Sequence, residues 1–254
     1  MSKALVSVFL FLMVAMQSSG WGPTGHRAAG WIAEKYLNKK ARSAIEKILQ
    51  GQSLAMASTW MDEIRSDSTY DYMVDWHWVT IPEGQSYEMT LKNPNGDIIQ
   101  TLERIIGDLK AKKLTGRQEL ESVKLLIHLI GDIHQPLHVG ARADRGGNDI
   151  QVMWFRNYSN LHRIWDSDMI DDTRLSYTEL AQSLDKPTEE QLRAWQKTSI
   201  HEWAKESQSY QEQVYNYGNG KLGYDYAYIN YPIVRHRLLR AGVRLAGVLN
   251  EIYG

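Results

Sequence analysis

Apolar residues recur at spacings of three and four along most of the chain, the period of helices with one buried face. The pattern predicts helices over 24–37, 39–50 and 54–64, stronger ones over 97–113 and 118 to about 135, and long ones near 189–215 and 232–253. Leu102, Ile105, Ile106 and Leu109 carry the stripe of the 97–113 segment. In the next helix Leu125, Leu126, Ile127, Leu129 and Ile130 leave almost no polar face, so it is expected to be buried. Pro136 ends or kinks that helix, because it lacks an N–H and its ring strikes the preceding turn. The best strand candidate is 149–157, followed by a short helix over 161–169. The class is mainly α. No repeat, low-complexity tract or linker interrupts the pattern, and the length suits one hydrophobic core.

The first residues break the pattern. Lys3, an apolar run over 4–16 and then Gln17, Ser18, Ser19 and Gly20 read as a secretory signal peptide over 1–20, cleaved before Trp21. The run is too short to span a bilayer. The expectation is a secreted or periplasmic protein whose single domain is 21–254, without stable membrane association and acting as a monomer.

Composition narrows the chemistry. With 43% hydrophobic and 23% charged residues, most of the chain is not disordered. Lys and Arg number 29 against 30 Asp and Glu, which excludes a protein that grips nucleic acid through a basic surface alone. The absence of cysteine removes disulfides, thiolate metal sites and cysteine nucleophiles, so any metal must be held by nitrogen and oxygen.

The densest chemical signal is His128-Leu-Ile-Gly-Asp132-Ile-His134-Gln-Pro-Leu-His138. His128 and Asp132, four apart on a helix, project toward one point. A buried carboxylate is costly without a partner, and a metal ion is a sufficient one. His162 and Asp166 repeat the spacing. One such pair is more often a hydrogen bond or a solvated face; two pairs plus His138 in a cysteine-free chain favour a metal site. Asp62 and His77 would each be called structural if read alone. A cleaved N-terminus at Trp21 would add an α-amine, a carbonyl and, at His26, an imidazole, all feasible metal ligands at neutral pH.

Together these segments resemble the zinc-dependent S1/P1 nucleases over essentially the whole of 21–254. The shared motifs, in order, are Trp21-Gly with Gly25-His26, Trp60-Met61-Asp62 with Arg65, His77, His128-x-x-x-Asp132 with Gln135-Pro136-Leu137-His138, Gly146-Gly147-Asn148, and His162-x-x-x-Asp166. The resemblance implies a single-domain helical fold, shared with zinc phospholipase C and carrying a short β-hairpin, and a site for three Zn2+. Asp62, His77, His128 and Asp132 would hold the first ion, and His138, His162 and Asp166 the second. The third would take the Trp21 amine and carbonyl, His26 and the other oxygen of Asp132. His134, His201 and His236 are left as structural or surface residues. The implied activity is hydrolysis of single-stranded RNA and DNA to 5′-phosphorylated products and removal of 3′-phosphate from nucleotides. Asp62 would orient the attacking water, Arg65 would contact the phosphate, and Asn148, Trp78 and Thr80 would contact substrate. Thr80 stands where many members of the family carry Asp or Asn able to hydrogen-bond a base. The missing cysteines depart from the fungal and plant members and point to a bacterial-type one. A zinc phospholipase C and a non-catalytic secreted zinc-binding protein are the rival readings.

Overall fold

The computed structural model describes residues 20–254, so the 1–20 leader, Gly20 apart, lies outside the described residues. The mainly α expectation holds: helices account for most of the chain, with two small sheets. Among the described residues no helix is long and apolar enough to cross a membrane.

The first helix, Pro23–Tyr36, opens on Pro23, whose missing N–H costs nothing in the first turn. It lies against the last helix, Tyr224–Tyr253. The two approach closely because the crossing is built from small residues. A Cβ added at Gly242 would stand 2.5 Å from Ile32 Cγ2 and 2.8 Å from the Ala29 carbonyl oxygen. The last helix begins well before the expected 232 and runs through Pro232. Proline removes one ladder bond and disturbs the carbonyls before it; here Gln213 Nε2 donates to the Ile229 carbonyl at 3.2 Å.

Two hydrophobic cores flank the middle of the molecule. One gathers around the helices Ile98–Lys110 and Arg117–Ile133, the latter buried continuously from Leu125 as its pattern requires. The other gathers around Trp21, Trp165, Ile170 and Leu180 and the middle of the last helix, including Val234 and Leu238.

Three expectations need correction. The 54–64 segment is two short helices, Leu54–Ala57 and Trp60–Glu63, followed by the 3-10 turn Ile64–Ser66. Ser58 and Thr59 cause the break, turning their hydroxyls back onto the Ala55 and Met56 carbonyls. The 189–215 segment is three helices, Glu189–Gln196, Ile200–Gln208 and Gln211–Val214. Thr188 with Gln191 and Ser199 with Glu202 form capping boxes, each of which starts a new helix. The 149–157 strand is a hairpin, Gln151–Trp154 against Asn157–Asn160, reversing at Phe155 with φ 53°. Lys221–Leu222 adds a third, parallel strand. A second sheet of two residues per strand pairs Val79–Thr80 with Val139–Gly140 in parallel.

The tight helix crossing makes a testable case. Gly242→Ala gains about 1 kcal/mol of helix propensity but drives its methyl into the Ile32 side chain and the Ala29 carbonyl oxygen. The expected net effect is a loss of about 1–2 kcal/mol, read from urea unfolding. An unchanged midpoint would mean that the two helices part more easily than their packing implies.

Candidate metal centre

Asp132, at 0% exposure, is the hub. Its Oδ1 lies 3.2 Å from His26 Nε2, while its Oδ2 lies 2.9 Å from His77 Nδ1 and 3.2 Å from His128 Nε2. His128 Nε2 is in turn 3.8 Å from Asp62 Oδ1. The His26 and His128 rings stack with centroids 3.9 Å apart. Gly131 permits this arrangement, since a Cβ there would stand 2.8 Å from His26 Nδ1.

Beside the hub stands a second cluster. His162 Nε2 is 3.1 Å from Asp166 Oδ2, His138 Nε2 is 3.8 Å from Asp166 Oδ1, and the two Nε2 atoms are 3.2 Å apart. Asp166 belongs to a π-helical turn, Ile164–Asp168, set between single turns of α-helix. Such turns recur at functional sites. The two-residue sheet fixes the distance between the clusters, because its paired strands follow directly on His138 and, one residue removed, on His77.

The far nitrogens of three rings are tied to backbone. Nδ1 of His128 donates to the Ser58 carbonyl, that of His138 to the His77 carbonyl and that of His162 to the Gly146 carbonyl, each at 2.7 Å. A carbonyl only accepts, so each Nδ1 carries a hydrogen and each Nε2 faces inward, the nitrogen that can ligate once it is unprotonated. The break at Ser58 is therefore part of the site. Gln135 donates from Nε2 to Asp166 Oδ1 at 2.6 Å while its Oε1 accepts from the Leu137 N–H at 2.5 Å.

Such a set calls for a cation. His26 Nδ1 and Nε2, His128 Nε2 and Asp132 Oδ1 are buried with no hydrogen bond, which costs stability unless something else satisfies them. Burial pushes His138 down to about 4, leaving it neutral, and burial also lowers His77. At His128 burial is outweighed by the Asp132 and Asp62 carboxylates, which push the imidazole up to about 9. At Asp132 burial is likewise outweighed, here by His128 and His138, and the carboxyl is held well below its usual range. A proton on His128 answers the carboxylates only in part; a divalent ion would answer them more fully and displace that proton. Among the described residues, three groups have ligand atoms within 4.8 Å of one another: His26, Asp62 and His128; His77, His128 and Asp132; and His138, His162 and Asp166. The donor set therefore fits metal ions.

Gly20 sits inside this constellation. Its N–H donates to His138 Nε2 at 2.9 Å, and a Cβ on it would fall 1.9 Å from Asp132 Oδ1 and 2.6 Å from His26 Nε2. Trp21 is fully buried and Gly22 donates its N–H to the Asp166 carbonyl, so the start of the domain is not frayed.

The remaining sequence candidates are placed less closely. Arg65 Nε is 3.7 Å from Asp62 Oδ1 at the partly exposed edge of the hub. The Trp78 ring lies nearly parallel to His77, centroids 6.4 Å apart, and Thr80 is exposed opposite Gly140. Asn148 turns its amide back onto the Arg145 carbonyl at 2.9 Å. Of the other histidines, His201 lies between Glu88 and Glu103, His236 packs beside Trp195, and His134 is fully buried. Sequence reasoning missed the backbone acceptors Ser58 and Gly146, which carry no side-chain signal, and gave Gln135 no role.

The chain is 30% identical to Endonuclease 4 of Arabidopsis thaliana over a 290-residue alignment covering 100% of this chain and 97% of that protein. It is 29% identical to Nuclease S1 of Aspergillus oryzae over 178 residues, 66% of this chain and 60% of that one. It is 30% identical to Nuclease P1 of Penicillium citrinum over 158 residues, 59% of this chain and 58% of that one. The S1/P1 Nuclease family pattern matches residues 21–254, the segment that contains every His and Asp of the clusters, and the chain belongs to the S1/P1 nuclease family.

Proposed function

We propose that this chain, cleaved before Trp21 and exported, is a zinc-dependent phosphoesterase. It cleaves single-stranded RNA and DNA to 5′-phosphorylated products and removes 3′-phosphate from nucleotides. The observation that carries the reading is the buried Asp132 carboxylate, one oxygen facing His26 and the other facing His77 and His128, beside the His138–His162–Asp166 cluster. Zinc suits donors that are all nitrogen and oxygen and leave positions open. Asp62, His77, His128 and Asp132 hold one ion, His138, His162 and Asp166 a second, and the Trp21 amine and carbonyl, His26 and Asp132 a third.

Closely spaced zinc ions, when bound, lower the pKa of a water toward 7 and neutralise phosphate oxygens. The protein supplies orientation. Asp62, the ligand carboxylate with the most exposed side chain of the hub at 23%, accepts a hydrogen bond from the attacking water. Arg65, one turn along, contacts the phosphate through its planar guanidinium. Trp78 stacks a base, an interaction indifferent to sequence, while Thr80 offers a hydroxyl and Asn148, rotated off the Arg145 carbonyl, an amide.

The direct test incubates chain 21–254, loaded with zinc or treated with chelator, with a single-stranded oligonucleotide and separately with phosphatidylcholine. Zinc-dependent release of 5′-phosphorylated nucleotides is expected; cleavage of lipid alone would move the reading to a phospholipase, and turnover of neither would remove the enzymatic one. Arg65→Ala should lower kcat by about 100-fold, the scale for losing one donor to transition-state charge, with zinc content unchanged by elemental analysis. Loss of zinc in that variant would count against a phosphate contact. A chain that begins at Gly20 turns the Trp21 amine into an amide and puts backbone beside Asp132, so it should bind less zinc than chain 21–254 and turn over slowly; equal zinc content and full activity would defeat the role of the Trp21 amine.

A further inference from the structure

The segment from Ile133 to Val139 joins the two clusters, since Asp132 precedes it and His138 lies within it. It leaves a helix end, where carbonyls lose their ladder partners, and it is fully buried. Its carbonyls are nonetheless claimed by side chains from the last third of the chain, none of which belongs to the site. Ser207 Oγ donates to the Ile133 carbonyl at 2.5 Å and Arg237 Nε to the His134 carbonyl at 3.0 Å. Gln211 Nε2 donates to the Pro136 carbonyl at 2.6 Å and to the Val139 carbonyl at 3.0 Å. The His134 ring is fixed at both ends, its Nδ1 donating to the Ile130 carbonyl at 2.7 Å and its Nε2 accepting from Arg244 Nη1 at 2.9 Å.

Arg237 and Arg244, seven apart on the last helix, share one face. They are 0% and 1% exposed, and both are paired with Glu206, whose Oε2 accepts from each at 2.7 and 2.6 Å. Stability alone gives little reason for this, because well-packed apolar residues commonly match or exceed a buried ionic cluster. What apolar residues cannot do is donate to the carbonyls of a buried segment that leaves the α-helix through a single 3-10 turn, Pro136–His138.

We propose that Gln211, Arg237 and Arg244 are positioning residues, a cradle of donors that fixes the Ile133–Val139 path and thereby the spacing of Asp132 and His138. The inference rests on the metal-centre reading above. Orienting partners of metal ligands are worth about 10–100-fold in metal affinity, and the cradle acts one step further out, through the backbone.

The test uses chain 21–254 with Gln211→Met, which keeps the shape and removes both donated bonds, and Arg244→Lys, which keeps the charge on Glu206 and loses the contact to His134. Ile105→Val, in the first core and outside the set of donors, supplies a comparable loss of stability. Zinc affinity is read by competition with a chromophoric chelator, and ligand geometry by the visible bands of the cobalt-loaded protein. Both cradle variants should bind the weakest ion about 10-fold less tightly and show shifted cobalt bands, with Ile105→Val unchanged in both. Lowered melting temperatures with wild-type affinity and spectrum would make the cradle merely structural. If Gln211→Met does not fold, Arg244→Lys decides alone. Failure of the wild-type chain to take up zinc or cobalt would overturn the metal-centre reading itself, and this inference with it.

Discussion

A carboxylate buried to 0% exposure among three imidazoles is the constraint around which this fold is arranged. In a medium that solvates ions poorly, Asp132 keeps its charge only where positive charge converges on it. Several departures from regular structure serve that convergence. Gly131 lets the His26 ring lie against the ligand helix, the broken helix at Ser58 frees a carbonyl for His128, and two paired residues on each side of one small sheet set His77 beside His138. The π-helical turn carries Asp166, whose carbonyl oxygen holds Gly22 and whose carboxylate accepts from Gln135.

How much of this was legible in the sequence depends on what backbone carries each residue. His128 with Asp132 and His162 with Asp166 stood out because helical spacing places both members of each pair on one face. Asp62 and His77 did not, because they lie on short helical turns with no long periodic pattern around them, and only the family resemblance singled them out. Breaks in the expected 54–64 and 189–215 helices were written in the residues, as Ser58-Thr59 and as the Ser199 capping box, but apolar periodicity carried across them. Pro232 pulled the expected start of the last helix too far along the chain, because proline reads as a boundary while the helix in fact runs through it from Tyr224. The Ser58 and Gly146 carbonyls were beyond reach, since a backbone acceptor has no sequence signature.

The molecule holds two buried charge clusters of opposite kind, a few residues apart in sequence at Asp132 and His134. The first is convergent lone pairs and carboxylates, short of positive charge. The second is Arg237 and Arg244, with Arg240 beside them, gathered on Glu206 and already rich in positive charge. That contrast separates a site built to receive a cation from a network built to hold a shape. His134 belongs to the second: burial, with Arg237 and Arg244 alongside, holds its pKa well below the usual imidazole range, and both its nitrogens are occupied.

These arrangements tie the site to the whole chain. Its ligand candidates run from the start of the domain to Asp166, and the donors that hold the segment between Asp132 and His138 come from Ser207, Gln211 and the last helix. The first helix, which brings His26, is itself packed against that last helix through the Gly242 crossing. The ligands and the groups that aim them thus span residues 26–244, most of the chain. Contacts of such long sequence separation form late, after the loops between them have closed. A metal ion that binds the assembled set stabilises the folded chain over the unfolded one by mass action. A partly folded chain presents scattered imidazoles and carboxylates, which can bind an ion but cannot organise it.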